Sequence, residues 1–449
     1  KMKKYKFIVM LFILILWFPA FSQETDSEDS DTETLTADSD AAKIIVNKYR
    51  LGDGITFSAP DGGYNINLRG FLQTTFETRK YEGDDQFYSR FRMRRLRLRL
   101  SGDAWGGKVS YRLQTDFAQA NGGDGELSGM LLDAFIAYKP VKGLTLSFGQ
   151  KSTPTDNREL GITSNTLQLV DRSKLSSYFG SIREVGLFVD GSFRIGHTAY
   201  LRPSIVITDG DGSATFTRRH GGLKYGARIN YLPFGLFRAY GENRGGDMAR
   251  EVTPKLSVGT TFSYNVGISD RRGRESGSIL YLNDENKEAL PDYIKFGADF
   301  HFKYMGFSVL GEFVKTWAHV PSEITQRVRN DGTTSTDFSG NMKDYVKARM
   351  MLGAGYNIQA GYMFQNRLSI DARYTHFDPD KNSFLHNELY FNRNNFYEVG
   401  VSKYLTKSYA VKVQASVVFV DAEPGSKNVN SIVTEGNETL LQAMIQFSF

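Results

Sequence analysis

Apolar and polar residues alternate with a period of two along most of this chain. In 108–117 one face carries Val109, Tyr111, Leu113, Thr115 and Phe117, and the other Lys108, Ser110, Arg112, Gln114 and Asp116. Ile294, Phe296, Ala298, Phe300 and Phe302 oppose Lys295, Gly297, Asp299 and His301. Val411, Val413, Ala415 and Val417 oppose Lys412, Gln414 and Ser416. That is the period of a β-strand, and the β-branched and aromatic content agrees with it. A soluble sandwich would bury one face against a second sheet. It would not accept full charges on the other face in strand after strand. A closed barrel in a membrane turns the apolar face to lipid and the charged face to an aqueous lumen.

The alternation predicts an all-β fold, a 16-stranded antiparallel transmembrane β-barrel. Its strands are 65–77, 88–102, 107–118, 130–139, 143–151, 184–194, 198–208, 220–232, 255–265, 292–304, 306–316, 346–364, 367–377, 394–405, 409–420 and 438–449. The connections supply an independent check. Those after even-numbered strands are short, and those after odd-numbered strands are long. Short periplasmic turns opposite long extracellular loops are expected of outer-membrane barrels. The 233–254 connection breaks this rule, and the alternation gives no reason for it. The last strand ends Leu441, Ala443, Ile445, Phe447 and Phe449 on one face, like the closing strand of such barrels.

The N-terminus sharpens the location. Lys1, Lys3, Lys4 and Lys6 flank twelve unbroken apolar residues, Phe7 to Phe18. That run is too short to span a bilayer, which needs about 20 residues. With Ala20 and Ser22 it predicts a cleavable export signal over 1–22. Residues 23–50 contain eight acids among Ser and Thr, which predicts a disordered periplasmic leader ahead of a barrel from 51 to 449.

Charge then changes meaning. The whole chain has 55 Lys plus Arg and 50 Asp plus Glu, a formal +5. The signal carries four Lys and residues 24–40 eight acids, so residues 41–449 hold +9. Assigned by strand parity, sixteen cations against nine acids face the lumen, Lys347 and Arg349 among the cations. A basic excess in a narrow pore favours anions, because low-dielectric walls focus the field.

The densest feature is Phe91-Arg-Met-Arg-Arg-Leu-Arg-Leu-Arg-Leu100. Alternation sends Leu96, Leu98 and Leu100 to lipid and stacks Arg95, Arg97 and Arg99 on the lumen wall. Arg112 and Lys151 on neighbouring strands extend the set. Guanidinium forks match oxyanions bidentately and stay charged at every physiological pH. Arg92 and Arg94 have the wrong parity; a bulge, a rim position or a subunit contact would each account for them. A loop over 152–183 either folds inward, with Arg158, Arg172 and Lys174 as candidates at a constriction, or lies on the surface with its charges solvated.

Other chemistry is sparse. There is no Cys, so no thiol nucleophile or disulfide framework. The six His are scattered without ligand spacing, and Asp209-Gly-Asp-Gly-Ser213 reads as a turn lacking the spaced ligands of a cation loop. No cofactor is called for, and no enzyme is indicated.

These stretches also carry a resemblance. Arg94-Arg-Leu-Arg-Leu-Arg-Leu-Ser-Gly102, Val109 to Phe117, Asp133 to Tyr138, Phe148-Gly-Gln-Lys151, Arg183-Glu-Val-Gly186, Tyr293 to Phe313 and Tyr356 to Tyr374 resemble the phosphate-selective porin O/P family. The similarity runs over about residues 50–449. It implies an outer-membrane porin, typically a homotrimer among lipid and lipopolysaccharide, that passes phosphate or related anions by passive diffusion. The alternative is a barrel of little or no conductance that serves as a structural or assembly partner in an envelope complex. Its motive is the acidic leader and the long loops.

Overall fold

The computed structural model describes residues 45–46, 49–119, 130–210, 220–269, 280–329, 331–386, 393–426 and 433–449. The export signal and nearly all of the acidic leader lie outside these residues, as does most of Asp209–Ser213 beyond Gly210.

Sixteen strands form the wall: β1 (Tyr64–Tyr81), β2 (Tyr88–Ala104), β3 (Val109–Asp116), β4 (Leu131–Tyr138), β5 (Leu144–Ser152), β6 (Arg183–Gly191), β7 (Ala199–Thr208) and β8 (Lys224–Leu232), then β9 (Lys255–Asn265), β10 (Asp292–Tyr304), β11 (Phe307–His319), β12 (Gly353–Met363), β13 (Leu368–Pro379), β14 (Arg393–Tyr404), β15 (Val411–Ala422) and β16 (Glu438–Ser448). Each pairs antiparallel with the next. β16 pairs back onto β1, from Glu438 opposite Tyr81 to Ser448 opposite Phe71, which closes the barrel. Closure gives every strand a partner on both sides, the condition for crossing a bilayer without unpaired backbone groups. Among the described residues no helix is long and apolar enough to cross a membrane; the strands do so.

Facing follows the alternation. Phe148, Ile205, Tyr225, Ile358, Ile370, Val399 and Ile445 are exposed outside, while Glu184, His301, Lys412 and Gln446 are buried within. The β10–β11 turn is as short as expected. Met305 and Gly306 both have positive φ, 50° and 94°, the backbone that a two-residue hairpin of right-handed twist requires.

Three features depart from the sequence reading. The 346–364 strand starts only at Gly353. Residues Met342–Lys347 instead form a helix above the barrel, where Val346, Met350 and Leu352 pack with Ile268, Tyr281, Tyr293 and Phe338. The apolar residues there serve a local extracellular core, so periodicity misread them as strand. Lys347 and Arg349 accordingly leave the lumen set, and Arg349 stacks on Tyr345. Second, Ile55–Ser58 pairs with Asn65–Leu68 and covers the part of β1 that β16 does not reach. Third, the 233–254 connection turns up under the barrel and packs into its periplasmic mouth.

Candidate functional site

The arginine-rich strand is built around a bulge. Along β1 and β2 the pairing steps from Gln73–Arg95 to Thr74–Met93, so Arg94 has no partner of its own. One extra residue inverts the parity of everything before it. Arg90, Arg92 and Arg94 therefore point the same way as Arg95, Arg97 and Arg99, while Phe91 and Met93 face outward, Phe91 at 87% exposure. Of the three explanations for Arg92 and Arg94, the bulge holds. Six guanidinium groups on one strand follow each other over roughly 30 Å of strand.

Across the lumen lies the loop between β5 and β6. It is not a free flap. Asp156 receives Lys295 at 2.5 Å, Arg158 meets Asp299 at 2.6 Å, and Asp299 also receives Arg228 at 2.5 Å. The Glu159 carboxylate accepts from Ser173 N and from the Ser173 and Ser176 hydroxyls, and from Arg373 at 3.1 Å. Gln168 donates to Ser308 and Asp371, while Lys412 and Gln414 donate to the Leu167 carbonyl. An apolar seat completes the anchorage: Leu175, Tyr178 and Phe179 pack on Phe377, Phe396, Val418 and Val420. The loop thus fills the side of the lumen lined by β8–β15.

What stays open is a cavity of about 1160 Å³ between this loop and the β1–β4 wall. Thirteen arginines and one lysine line it against six carboxylates, a surplus that leaves several cations without a counter-ion. Arg97 pairs with Asp116 at 2.7 Å and also donates to Ser164 Oγ; Arg94 pairs with Asp171. Arg183 reaches Asp133 at 3.0 Å, and Arg112 stands 3.9 Å from the same carboxylate. Arg95 has only the amide oxygen of Gln73, at 2.7 Å. Among the described residues Arg69, Arg95, Arg99 and Arg172 have no carboxylate within 4.0 Å. The Nε atoms of Arg99 and Arg112 are buried without any hydrogen-bond partner.

Two loop cations face the same cavity. Arg172 is fixed by the Glu159 and Ile162 carbonyls and by Ser164 Oγ, neutral acceptors that hold the group without cancelling its charge. Burial, only partly offset by Glu159, pushes Arg172 down to about 10, still well above neutrality. Enclosure within the lumen lowers Lys174, whose side chain is exposed to the cavity, with Asp171 opposing. Burial alone would raise Asp171, yet Arg94 and Arg95 hold its carboxyl below the usual range.

The expected residues thus separate. Arg95, Arg97, Arg99, Arg112, Arg172 and Lys174 line one cavity. Lys151 is on the inner face but tied to Asp190 at 2.9 Å, beside the Phe135 and Phe188 rings, and outside the cavity lining. Arg158 is an anchor on the opposite wall. Sequence reasoning missed Arg90 and Asp171 and left Arg92 and Arg94 open among three explanations, since their facing depends on the bulge and the loop path. It also missed Arg244, Asn243 and Tyr240 of the 233–254 connection, which line the cavity too. The one available signal was that connection's anomalous length. Among the described residues no His/Asp/Glu group has the spacing to hold a metal ion.

Such an arrangement can strip part of the hydration of an anion and replace it with guanidinium donors at successive levels.

Comparison with solved structures gives similar barrels at low identity. An anion-selective porin from Comamonas acidovorans is 11% identical, with 86% of this chain and 100% of that chain covered and a TM-score of 0.49. Salmonella typhi OmpF in complex with daunomycin is 11% identical, with 86% and 98% covered and a TM-score of 0.49. The outer-membrane channel DcaP of Acinetobacter baumannii is 13% identical, with 87% and 99% covered and a TM-score of 0.44. Among curated proteins no sequence matches. The model of one family, phosphate-selective porin O and P, matches residues 66–449, nearly the whole barrel. The chain belongs to that family and is an outer-membrane porin.

Proposed function

We propose that this porin lets anions, phosphate or a related oxyanion, diffuse passively through a passage walled by arginine. The observation that carries the reading is the surplus of cations over carboxylates around the cavity of about 1160 Å³. Arg95, Arg97 and Arg99, with Arg112, act as successive weak sites, and Arg172 and Lys174 act on the facing loop. Each offers donors to an oxyanion, and none binds tightly enough alone to retain it. The Lys151–Asp190 pair is a cation already compensated, so Lys151 adds little to the field that an anion meets. The reading takes residues 1–22 as the export signal and 23–50 as a periplasmic leader.

The same reading makes the functional unit a homotrimer surrounded by lipid and lipopolysaccharide. Support comes from the outer face. At the extracellular level of β8, β9 and β11–β14 stand Tyr225, Tyr264, Trp317, Tyr356, Tyr374 and Tyr397. Toward the extracellular ends of β1 and β2 stand Thr78 and Ser89, whose hydroxyls bond each other at 2.8 Å. Beside them the Phe76 and Phe91 rings pack with centroids 4.9 Å apart and Phe91 87% exposed, an apolar patch on β1 and β2 that suits a protein neighbour. Chemical crosslinking in native membranes checks this, and a monomer ladder without trimer overturns it.

The direct test of the function is the reversal potential of the reconstituted porin in a KCl gradient. Anion preference is expected, and cation preference sinks the proposal. A barrel without single-channel conductance that co-purifies with an envelope partner would favour the assembly role.

A further inference from the structure

The 233–254 connection is far longer than a turn between adjacent strands needs, and it is heavily fastened. Lys303, buried on the inner face of β10, donates to the Gly241 and Arg244 carbonyls at 2.9 Å each and to that of Gly246. Asp247 accepts from the Glu251 and Gly306 amides at 3.0 and 2.8 Å. Arg202 holds Glu242 at 2.5 Å. The connection also touches the inward loop: Thr163 N donates to the Asn243 carbonyl, and Gly245 N to Thr166 Oγ1, both at 3.2 Å. Within it Ala239 and Tyr240 both take left-handed backbone, φ 50° and 56°, which L-residues adopt only under constraint.

What this fastening positions is Arg244. Its guanidinium lies 5.7 Å from the centre of the Tyr409 ring, and the Tyr409 hydroxyl in turn donates to the Gly245 carbonyl at 2.9 Å. Arg244 lines the cavity with Arg69, Arg99 and Arg112. Arg69 and Arg99 sit directly opposite each other on β1 and β2, and Arg69 is within electrostatic reach of both Arg112 and Arg244. Like charges placed opposite on paired strands repel. Among the described residues no carboxylate comes within 4.0 Å of Arg69, Arg99 or Arg244. Asp53, from the segment before β1, tempers Arg69 without pairing with it. The buried Nε atoms of Arg99 and Arg112 have no acceptor. Four clustered cations, two of them with a buried unpartnered donor, are a site for an oxyanion.

We propose that the periplasmic connection supplies Arg244 as the fourth member of an exit site for oxyanions, made with Arg69, Arg99 and Arg112. The site makes the pore sided: an anion arriving from the periplasmic end meets it first. This rests on the anion-porin reading and adds to it a second site, distinct from the Arg90–Arg94 end, and a function for the anomalous connection.

The test is block of chloride current by inorganic phosphate added to one side of a planar bilayer holding the full-length porin. Arg244→Gln is expected to raise the half-blocking concentration about fivefold or more from one side only, the loss of a charge-assisted contact. Arg244→Lys should recover most of the block. Heat-modifiable gel mobility verifies that each variant is a folded barrel, and Tyr409→Leu, which removes the ring beneath Arg244, should give a weaker one-sided shift. Unchanged block from both sides in a channel that stays anion-selective overturns the exit site alone. An equal shift from both sides also overturns it, since a general field effect has no sidedness. A wild-type channel that prefers cations removes the reading beneath it as well.

Discussion

The two halves of the lumen carry similar residues to opposite effect. On the wall from β8 to β14, Lys224 meets Glu184 at 2.5 Å, Arg228 and Arg158 share Asp299, Lys295 meets Asp156, and Arg373 meets Glu159 and Glu398. Every one of these cations has a carboxylate, and the pairs hold a loop against the wall. On the wall from β1 to β3, Arg69, Arg95 and Arg99 have none. Buried charges need a compensating partner; where the protein supplies it the cation becomes structural, and where it does not the cation remains open to a solute. A count of inward-facing charge therefore says less than the local excess of charge over counter-charge.

The comparison can be broken most severely on the open wall. Replacing Arg95, Arg97 and Arg99 together with Gln should abolish most of the anion preference and weaken phosphate block by about tenfold or more, as loss of over 1.4 kcal/mol of binding would. The reversal potential in a KCl gradient reads the result. Retained preference would mean that the paired half sets selectivity after all.

On the paired half the effect should be structural. Asp299→Asn leaves Arg158 and Arg228 facing each other without their shared carboxylate. Breaking a buried pair costs about 3–5 kcal/mol, so the loop should loosen and single-channel conductance should rise. The anion preference should change much less than with the triple variant. Conductance at the wild-type value would show that the apolar seat of Leu175, Tyr178 and Phe179 suffices to hold the loop.

A smaller effect concerns pH. Enclosure within the lumen lowers Lys174, so it sheds its proton at a pH below the ordinary lysine range. Positive charge is present below that point and lost above it. Anion preference should fall slightly on raising the pH from neutral toward that range, and Lys174→Gln should remove this part of the profile. A profile identical in both proteins would take Lys174 out of the passage. Smallest of all is the exposed Lys287–Glu285 pair on the outside. Surface pairs contribute little, and Glu285→Gln should leave conductance and thermal denaturation unchanged. A measurable shift would show that charge far from both walls also matters.

Much of this was legible beforehand. The period of two located sixteen strands, β9 and β10 to the residue, because lipid on one side and water on the other impose the pattern on each strand separately. Apolar content stays modest, at 40%, since only one face needs it. The 346–364 stretch misled because an extracellular core of Val346, Met350 and Leu352 imitates a strand's apolar residues. Arg92 and Arg94 misled for another reason: a bulge is decided by the register of two strands, which neither strand contains alone.

The sequence by itself determined a closed barrel and its inner and outer faces, both consequences of local periodicity. Only the tertiary structure decided which cations are spent on carboxylates and which stay open. It also brought Arg244 from a periplasmic connection to Arg69, Arg99 and Arg112. The physical reason is that compensation acts over about 4 Å between groups distant in the chain, so it depends on how loops fill the closed lumen.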